Sequence, residues 1–312
     1  MMNALPGLEN LIINIEPLNN VVFDKHNISV SMLRLDTIHP VVSGNKIFKL
    51  YYFLEDALNS YHKQIITFGG AYSNHLAATT YACKAAGLKC IGFVRGEKPK
   101  NLSHTLQFCL QNGMQLEFIN RSSYKKINVR KGSCGEEEFL KALTKKYGDH
   151  TLIPEGGFSK NGANGAKLIC NYFSLKNFSH VCCAVGTATT LAGLINGSKN
   201  ETEIIGFSAL KNLNDIDVRL KELKVDAAKK YSFNGDYHFG GYAKKTKELI
   251  AFINTFYDDN KIPLDFVYTG KMMFGVYDLI NKNYFPSGSN ILCLHTGGLQ
   301  GNESLPEGTL NF

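Results

Sequence analysis

The stretch Ala184-Val185-Gly186-Thr187-Ala188-Thr189-Thr190-Leu191-Ala192-Gly193, written AVGTATTLAG, joins the end of an apolar run to the start of a helical segment. The run that leads into it, Val181–Val185, has the length and the apolar character of a buried strand. A strand that passes directly into a helix is typical of parallel sheets, because the helix returns the chain to the other end of the sheet. This junction therefore predicts an α/β fold.

The same alternation of strand-like and helical segments extends in both directions from this junction. The segments predicted as strands are Ile65–Phe68, Cys90–Val94, Leu116–Ile119, Thr151–Ile153, Val181–Val185, Ile204–Leu210 and Ile291–His295. Helical segments are predicted at 73–86, 103–113, 136–147, from about 189, and near 215–223, 244–257 and 273–283. The strands fall into two sets that change over near Pro154–Gly157, so we expect two open, twisted, mostly parallel sheets flanked by helices.

Composition limits the class of protein. Of the 312 residues, 44% are hydrophobic and 20% are charged, which is ordinary for a globular protein. No run approaches the ~20 apolar residues that cross a bilayer, and the first residues lack the basic segment of a secretory signal. The net charge of +7 comes from scattered lysines, so we expect neither a nucleic-acid nor a membrane partner. The cysteines form no C-x-x-C pair, which favours reduced thiols in a cytoplasmic protein and predicts no metal site.

Four predicted junctions combine glycine with hydroxyl or amide side chains at the strand ends where parallel sheets bind ligands. They are Phe68–His75 (FGGAYSNH), Val185–Gly193 (VGTATTLAG), Val267–Lys271 (VYTGK) and His295–Gly298 (HTGG). In the first junction, Ser73 and Asn74 fit a ligand loop and a simple helix cap equally well. In the second, three threonines at a helix start favour a phosphate site. This junction lacks the glycine pattern of a dinucleotide site and the lysine of a Walker loop.

The segment Ser43–Leu50 (SGNKIFKL) places two lysines three residues apart at the expected start of a helix. Like charges on one helical face repel, and the helix N-terminus disfavours a positive charge. Lys46 is therefore poorly placed for stability, but its amine is well placed to lose its proton, as Schiff-base chemistry requires. Together with a phosphate site, Lys46 predicts pyridoxal phosphate as the cofactor.

Seven segments occur in the order found in one enzyme family: LRLD (33–36), SGNKIFKL, FGGAYSNH, IPEGG (153–157), VGTATTLAG, VYTGK and HTGG. The chain thus resembles the fold type II pyridoxal-phosphate enzymes of the 1-aminocyclopropane-1-carboxylate (ACC) deaminase and D-cysteine desulfhydrase family. The resemblance implies a fold like that of the tryptophan synthase β subunit, and a homodimer. It also implies a large cofactor-binding domain (1–50 and 158–312), a small domain (51–157), and an active site in the cleft between them.

The resemblance further implies roles for individual residues. Lys46 would form the Schiff base, Ser73 would act near the substrate carboxylate, and Tyr268 would lie beside the substrate. The residues implied in cofactor binding are Lys46, Asn74, Gly186, Thr187, Ala188, Thr189, Thr190, Thr269 and Thr296. Those implied in binding a small amino-acid substrate are Ser73, Asn74, His75 and Tyr268.

Two departures from the ACC deaminases bear on the reaction. Thr269 follows Tyr268, as in desulfhydrases, where the deaminases carry a glutamate beside the cofactor's ring nitrogen, and Phe239 takes the place of a second tyrosine. A hydroxyl beside that nitrogen gives a weaker electron sink than a carboxylate, which favours α,β-elimination to a 2-oxo acid and ammonia over ring opening. We therefore expect a D-cysteine desulfhydrase-like lyase. The alternatives are an ACC deaminase, a racemase, and a non-catalytic protein that binds the cofactor or an amino acid.

Overall fold

The computed structural model describes residues 11–39, 42–61, 63–127, 134–198 and 201–312. The strands are β1 (Ile15–Pro17), β2 (Ser29–Arg34), β3 (Gln64–Gly69), β4 (Lys89–Arg95), β5 (Met114–Ile119), β6 (Thr151–Ile153), β7 (His180–Val185), β8 (Glu203–Ser208), β9 (Tyr231–Asn234) and β10 (Asn290–His295). The helices are α1 (Val21–Lys25), α2 (Lys46–Asn59), α3 (Asn74–Ala85), α4 (His104–Gln111), α5 (Arg121–Ile127), α6 (Cys134–Tyr147), α7 (Lys160–Lys167), α8 (Thr189–Gly197), α9 (Ile216–Glu222), α10 (Lys247–Asn260) and α11 (Thr269–Asn281).

The strands form two sheets. The larger has six strands in the order β1-β2-β10-β7-β8-β9, and the smaller has four in the order β5-β4-β3-β6. Every pair is parallel except β1 with β2, and helices pack against both sheets. The predicted α/β class, with two mostly parallel sheets flanked by helices, is confirmed.

Alternation of side chains across the smaller sheet explains how the two sheets share a core. Ile65 of β3 belongs to a hydrophobic cluster that also contains Val181 and Cys183 of β7, from the larger sheet. Its neighbour Ile66 points to the opposite face and packs in a separate cluster with Phe93. Strand β7 is buried along its whole length, as expected for a central parallel strand covered on both faces. The two sheets are therefore joined by one continuous apolar core.

The parallel arrangement brings the polar junctions to the same edge of each sheet. In the larger sheet β2, β10 and β7 are neighbours, so the turns that follow them open on one side. The turn after β2 leads to α2, the turn after β7 leads to α8, and the turn after β10 carries the HTGG segment. In the smaller sheet β3 leads to α3 through Gly69 and Gly70.

Several predicted boundaries were wrong for identifiable reasons. Helix α11 begins at Thr269 and not near 273, because the carboxylate of Asp265 accepts a hydrogen bond from the amide of this first residue. Helix α10 begins at Lys247 and not at 244, because Thr246 caps it. Strand β8 ends at Ser208, two residues earlier than predicted. Strands β1, β2 and β9 and helices α1, α5 and α7 were not predicted.

Helix α7 lies against α2 at backbone distance. A Cβ atom on Gly165 would lie 2.0 Å from the carbonyl oxygen of Phe48, and one on Gly162 would lie 1.9 Å from the carbonyl oxygen of Gly157. Glycine lowers helix propensity, which hid α7 from the sequence pattern. Gly165 therefore allows α7 to approach the backbone of α2, and Gly162 allows it to approach the turn at Gly157.

The cysteines and the helices agree with the composition. The cysteines predicted to lie in apolar surroundings carry free thiols; Cys170 is half-buried and the others are buried, namely Cys83, Cys90, Cys109, Cys182, Cys183 and Cys293. Among the described residues, no helix is long and apolar enough to cross a membrane.

Replacing Gly165 by alanine is expected to lower the free energy of unfolding by about 1–3 kcal/mol, because the added methyl group overlaps the Phe48 carbonyl. Helix propensity alone predicts the opposite sign, a gain of about 1 kcal/mol. The matched control is Asn164→Ala, on the exposed face of α7, which should gain about 0.5 kcal/mol. Urea unfolding followed by circular dichroism measures both. A Gly165→Ala protein as stable as the control would show that the helices are not in backbone contact.

Candidate active site

Lys46 is the first residue of α2, as predicted, and Asn45 before it makes no side-chain cap. The pKa of the Lys46 amine is lowered to about 8, chiefly by burial, while the charge of Asp265 acts in the opposite direction. The prediction assigned the lowered pKa to the helix terminus and to the neighbouring lysine. Loss of water around the amine is the larger cause.

Asn45 connects the lysine amine to the threonine-rich turn. Its side chain is buried, its Oδ1 accepts a hydrogen bond from Lys46 Nζ at 2.9 Å, and its Nδ2 donates to Thr190 Oγ1 at 2.7 Å. The preceding Gly44 has a φ of +73°, and a Cβ there would lie 1.9 Å from the carbonyl oxygen of Thr296. Sequence reasoning did not assign Asn45 a role, although it stands directly before the lysine in the quoted segment.

The turn from Gly186 to Thr190 leaves the start of α8 open. Ala188 occupies the N-cap position in a left-handed conformation (φ +70°) and provides no side-chain cap. The first amides of α8 therefore lack intrahelical partners and face outward with the positive end of the helix dipole. Thr187 and Thr189 share a hydrogen bond of 2.9 Å between their hydroxyls. This is the donor set that binds a phosphate at a helix N-terminus.

Lys49 provides a second buried amine one helical turn after Lys46. Its pKa lies well below the usual value because of burial and of the charge on Lys46, and Cys183 acts in the opposite direction. No carboxylate of the described residues contributes to raising this pKa. The Lys49 side chain is buried and that of Lys46 is half-buried, and neither amine forms an ion pair with a carboxylate of the described residues, so both fit an anionic group. The residues present therefore match the phosphate of pyridoxal phosphate.

The start of α3 supplies the groups predicted for the substrate. Ser73 caps α3 by accepting a hydrogen bond from the amide of Leu76 at 3.3 Å, and Asn74 is the first residue of the helix. Asn74 Oδ1 accepts a hydrogen bond from the side-chain amide of Gln300, which lies two residues after the HTGG segment. The Asn74 Nδ2 group is left free to donate elsewhere.

His75 is a buried, neutral histidine. Thr67 Oγ1 donates to the carbonyl oxygen of Ile153 at 2.9 Å, so at 2.8 Å it accepts from His75 Nε2. The pKa of His75 is lowered to about 3, chiefly by burial and also by the charges of Lys46 and Lys49. His75 Nδ1 has no hydrogen-bond partner among the described residues. It is a buried acceptor inside the site.

Tyr268 lies over the phosphate-type turn and against a second tyrosine. A Cβ on Gly186 would lie 3.2 Å from the Tyr268 ring, and the rings of Tyr268 and Tyr242 pack edge-to-face at 6.1 Å. Burial raises the pKa of Tyr268 well above its usual value, and the neighbouring Tyr242 and Asp265 raise it further. The pKa of Tyr242 is also raised, chiefly by loss of water around its hydroxyl, although 46% of the residue is exposed. Both phenols therefore keep their protons at neutral pH.

Tyr242 corrects the expectation that Phe239 removes the second phenol. The Phe239 ring packs against Phe274 at 4.9 Å, in the core cluster of the larger sheet. Tyr242, three residues later, stands beside Tyr268 instead. The assignment of this loop from sequence was wrong because two consecutive glycines, 240 and 241, let the backbone turn between the two aromatic residues.

Lys271 fixes the loop that carries Tyr242. It is buried, and its Nζ donates hydrogen bonds to the carbonyl oxygens of Gly241 (2.7 Å), His238 (2.9 Å) and Ala209 (3.4 Å). Burial lowers the pKa of Lys271 to about 8, against the charge of Asp265. Because Lys271 lies on α11 three residues after Tyr268, one ammonium group holds both tyrosine-bearing segments together.

Thr269 and Thr296 lie at two of the converging turns, and both are buried. Thr269 Oγ1 donates to Asp265 Oδ2 at 2.5 Å, while the Asp265 amide donates back to Thr269 Oγ1 at 3.0 Å. The carbonyl oxygen of Thr296 accepts a hydrogen bond from the amide of Asn45. Asp265 carried no sequence signal, because a single aspartate in a loop has no distinguishing pattern.

The predicted residues thus gather around the start of α2. Lys46 is joined to Thr190 through hydrogen bonds to Asn45. The Tyr268 ring lies close to Gly186. The charges of both lysines lower the pKa of His75. Functional side chains that the sequence did not assign complete the site; they are Asn45, Lys49, Tyr242, Asp265, Lys271 and Gln300. Within the described ranges, no group of three or more histidine, cysteine or acidic side chains could hold a metal ion.

Comparisons with known proteins bear on the family of the chain. A family model described as pyridoxal-phosphate dependent enzyme matches residues 15–297. A Thermotoga maritima protein provisionally named 1-aminocyclopropane-1-carboxylate deaminase is 30% identical over 298 residues, which cover 89% of this chain and 91% of the relative. A Pyrococcus abyssi protein with the same provisional name is 31% identical over 281 residues, covering 83% and 81%.

Solved structures have the same architecture. A crystal structure of an ACC deaminase homologue aligns with a TM-score of 0.77 and 28% identity, covering 96% of this chain and 93% of that one. A hydrogen sulfide-producing enzyme from Fusobacterium nucleatum aligns with a TM-score of 0.68 at 14% identity, covering 96% and 99%, and shares the fold alone.

Lys271→Met is expected to lower the free energy of unfolding by about 3 kcal/mol, because buried carbonyl groups lose a charged donor. Hydrogen–deuterium exchange of the amides in 238–243 should increase with it. The control is Lys244→Met, which removes an exposed lysine of the same loop and should change neither measurement. Equal exchange in the two variants would show that Lys271 does not hold the loop.

Proposed function

The chain belongs to the family of pyridoxal-phosphate dependent enzymes, and from this premise we propose that it is a lyase acting on a small amino acid. The reaction removes the Cα proton and the Cβ substituent and ends, after addition of water, in a 2-oxo acid and ammonia. D-cysteine is the substrate we propose first, with sulfide as the leaving group. The proposal includes a large domain (1–50 and 158–312), a small domain (51–157), an active site in the cleft between them, and a homodimer.

The proposal rests on the two hydrogen bonds that the Asn45 side chain makes. Because Asn45 binds both Lys46 Nζ and Thr190 Oγ1, a reactive amine and an anion-binding helix start are held at a fixed separation. In a protein without a cofactor, neither feature requires the other. A phosphate-bearing aldehyde explains both.

The residues that would hold the cofactor follow from the geometry of the site. Its phosphate would lie on the amides after Gly186, with the hydroxyls of Thr187, Thr189 and Thr190 and the Lys49 amine. Asn74 would contact the ring hydroxyl through its free Nδ2, and Thr269 and Thr296 would lie beside the ring nitrogen. When bound, pyridoxal phosphate supplies an electron sink that makes the Cα proton of an amino acid removable.

Lys46 is suited to move the Cα proton. With a pKa of about 8, about a tenth of the amine is uncharged at pH 7, against less than about one part in a thousand for an exposed lysine. Ser73 and the first amides of α3 are placed to hold the substrate carboxylate. His75 Nδ1, neutral and without a partner among the described residues, adds an acceptor for a donor group of the substrate.

The two phenols favour elimination. Since the pKa values of Tyr268 and Tyr242 are raised, both side chains are proton donors at neutral pH and not phenolate nucleophiles. A proton donor beside the substrate assists departure of a leaving group from Cβ.

ACC deaminase is the second candidate. The observation in its favour is Tyr242, which supplies the phenol that Phe239 would have removed. The provisional names of the curated relatives point the same way, but at about 30% identity a substrate can differ. A racemase would use the same lysine and is distinguished by its product.

Borohydride reduction of the holoenzyme, followed by peptide mapping, is expected to place a pyridoxyl group on Lys46. Lys46→Ala should lose the label, and Lys244→Ala, a control at an exposed lysine, should keep it. A label on Lys49, or on no lysine, would refute the proposed site.

A keto-acid and sulfide assay over D- and L-amino acids and ACC tests the reaction. We expect pyruvate, ammonia and sulfide in equal amounts from D-cysteine, little 2-oxobutyrate from ACC, and a loss in kcat of about 10²-fold or more in Tyr268→Phe. Faster turnover of ACC than of D-cysteine would replace the first candidate by the second. Binding of amino acids without any product, or with only inverted chirality, would exclude both.

A further inference from the structure

Asp265 is a buried carboxylate to which neither the sequence nor the resemblance gave a function. It has no exposed surface, and both of its oxygens accept hydrogen bonds. Oδ1 accepts from the amides of Val267 (3.0 Å) and Tyr268 (2.7 Å). Oδ2 accepts from the amide of Thr269 (2.9 Å) and from its hydroxyl (2.5 Å). A carboxyl group with four donors on its two oxygens acts as an acceptor only.

Three of these four hydrogen bonds have a structural purpose. The hydrogen bond from the Thr269 amide satisfies a group that α11 itself leaves unpaired, and those from the Val267 and Tyr268 amides fix the turn that precedes the helix. The fourth hydrogen bond, from the hydroxyl of Thr269, is not needed for that purpose. It decides how the Thr269 hydroxyl is oriented.

The Thr269 hydroxyl has one hydrogen and two lone pairs. Its hydrogen is committed to Asp265 Oδ2, and one lone pair accepts from the Asp265 amide at 3.0 Å. What remains is a single lone pair on an oxygen polarised by a carboxylate. Toward any further partner, Thr269 is therefore an acceptor and has no hydrogen to donate.

Asp265 also faces the interior of the site. Gly298 of the HTGG segment has a φ of +102°, and a Cβ there would lie 3.4 Å from Asp265 Cγ and 3.7 Å from Asn74 Nδ2. The Asp265 carboxylate, and the Asn74 amide that we propose contacts the cofactor ring, therefore both lie close to the turn at Gly298. The charge of Asp265 also raises the pKa of Lys46, whereas burial lowers it.

We propose that Asp265 acts through Thr269 to keep the ring nitrogen of bound pyridoxal phosphate protonated. The hydroxyl, held by the carboxylate, accepts a hydrogen bond from a ring N–H; the ring nitrogen takes its proton from solvent when the cofactor binds, and no other bond changes. Asp265 is then a positioning residue that supplies, one side chain removed, the negative charge that a glutamate after the tyrosine supplies directly. This inference rests on the proposed placement of Thr269 beside that nitrogen. It reverses the hydrogen-bond direction expected from a threonine alone.

The test is NMR of the holoenzyme reconstituted with pyridoxal phosphate labelled with ¹⁵N in the ring. We expect the wild-type protein to show a ring nitrogen that carries a proton. In Asp265→Asn the side-chain amide donates to Thr269 Oγ1, which turns the hydroxyl hydrogen outward, and the ring proton should be lost. Thr269→Ser keeps the hydroxyl and should keep the ring proton, whereas the isosteric Thr269→Val should lose it.

Each outcome decides the matter. An unprotonated ring nitrogen in the wild-type protein overturns the proposal, as does a proton retained in both Asp265→Asn and Thr269→Val. If Asp265→Asn fails to fold or to bind the cofactor, the comparison of Thr269→Ser with Thr269→Val decides. In both of these variants Asp265 keeps its three hydrogen bonds from backbone amides. Borohydride labelling of Lys46 separates the two proposals: a labelled wild-type protein with a neutral ring nitrogen refutes the role of Asp265 and leaves the proposed function standing.

Discussion

Two amines buried one turn apart at the start of a helix form the constraint around which the site is organised. Burial lowers the pKa of both amines, and the charge of Lys46 lowers the pKa of Lys49 further. An arrangement that opposes stability at each level marks a place where stability was not the selected property. An anion at the open end of α8 relieves the repulsion, and the Asn45 amide sets where that anion and the amine stand relative to each other.

The opposite side of the site carries the compensating negative charge at a distance. Asp265 does not pair directly with either lysine; its oxygens are taken up by the start of α11 and by Thr269. Its field still acts on Lys46 and Lys271 and raises the pKa of Tyr268. One carboxylate thus biases an amine toward its charged form and a phenol toward its neutral form.

Much of the fold could be predicted because central parallel strands are short continuous apolar runs with clear ends. Thr151–Ile153 was predicted to the residue, and β3, β4 and β7 to within one or two residues at each end. Helix α7 could not be predicted, because Gly165 is needed for contact with α2 and Gly162 for contact with Gly157, and the local preference of glycine is not helical. Tyr242 was missed because two glycines shift the loop. Asn45, Asp265 and Lys271 act through partners 30 or more residues away or through backbone atoms, which no local pattern reveals.

The three carbonyl groups bound by Lys271 belong to the main chain, so the frame that holds the two tyrosines does not depend on what those side chains are. Evolution can therefore exchange the aromatic residue at either position, or the residue after Tyr268, without rebuilding the scaffold. Because the backbone is held independently of the reacting side chains, closely similar proteins can diverge in substrate while their backbones stay superimposable. In this lineage, overall sequence identity should be a weaker guide to substrate than the identity of a few side chains mounted on that frame.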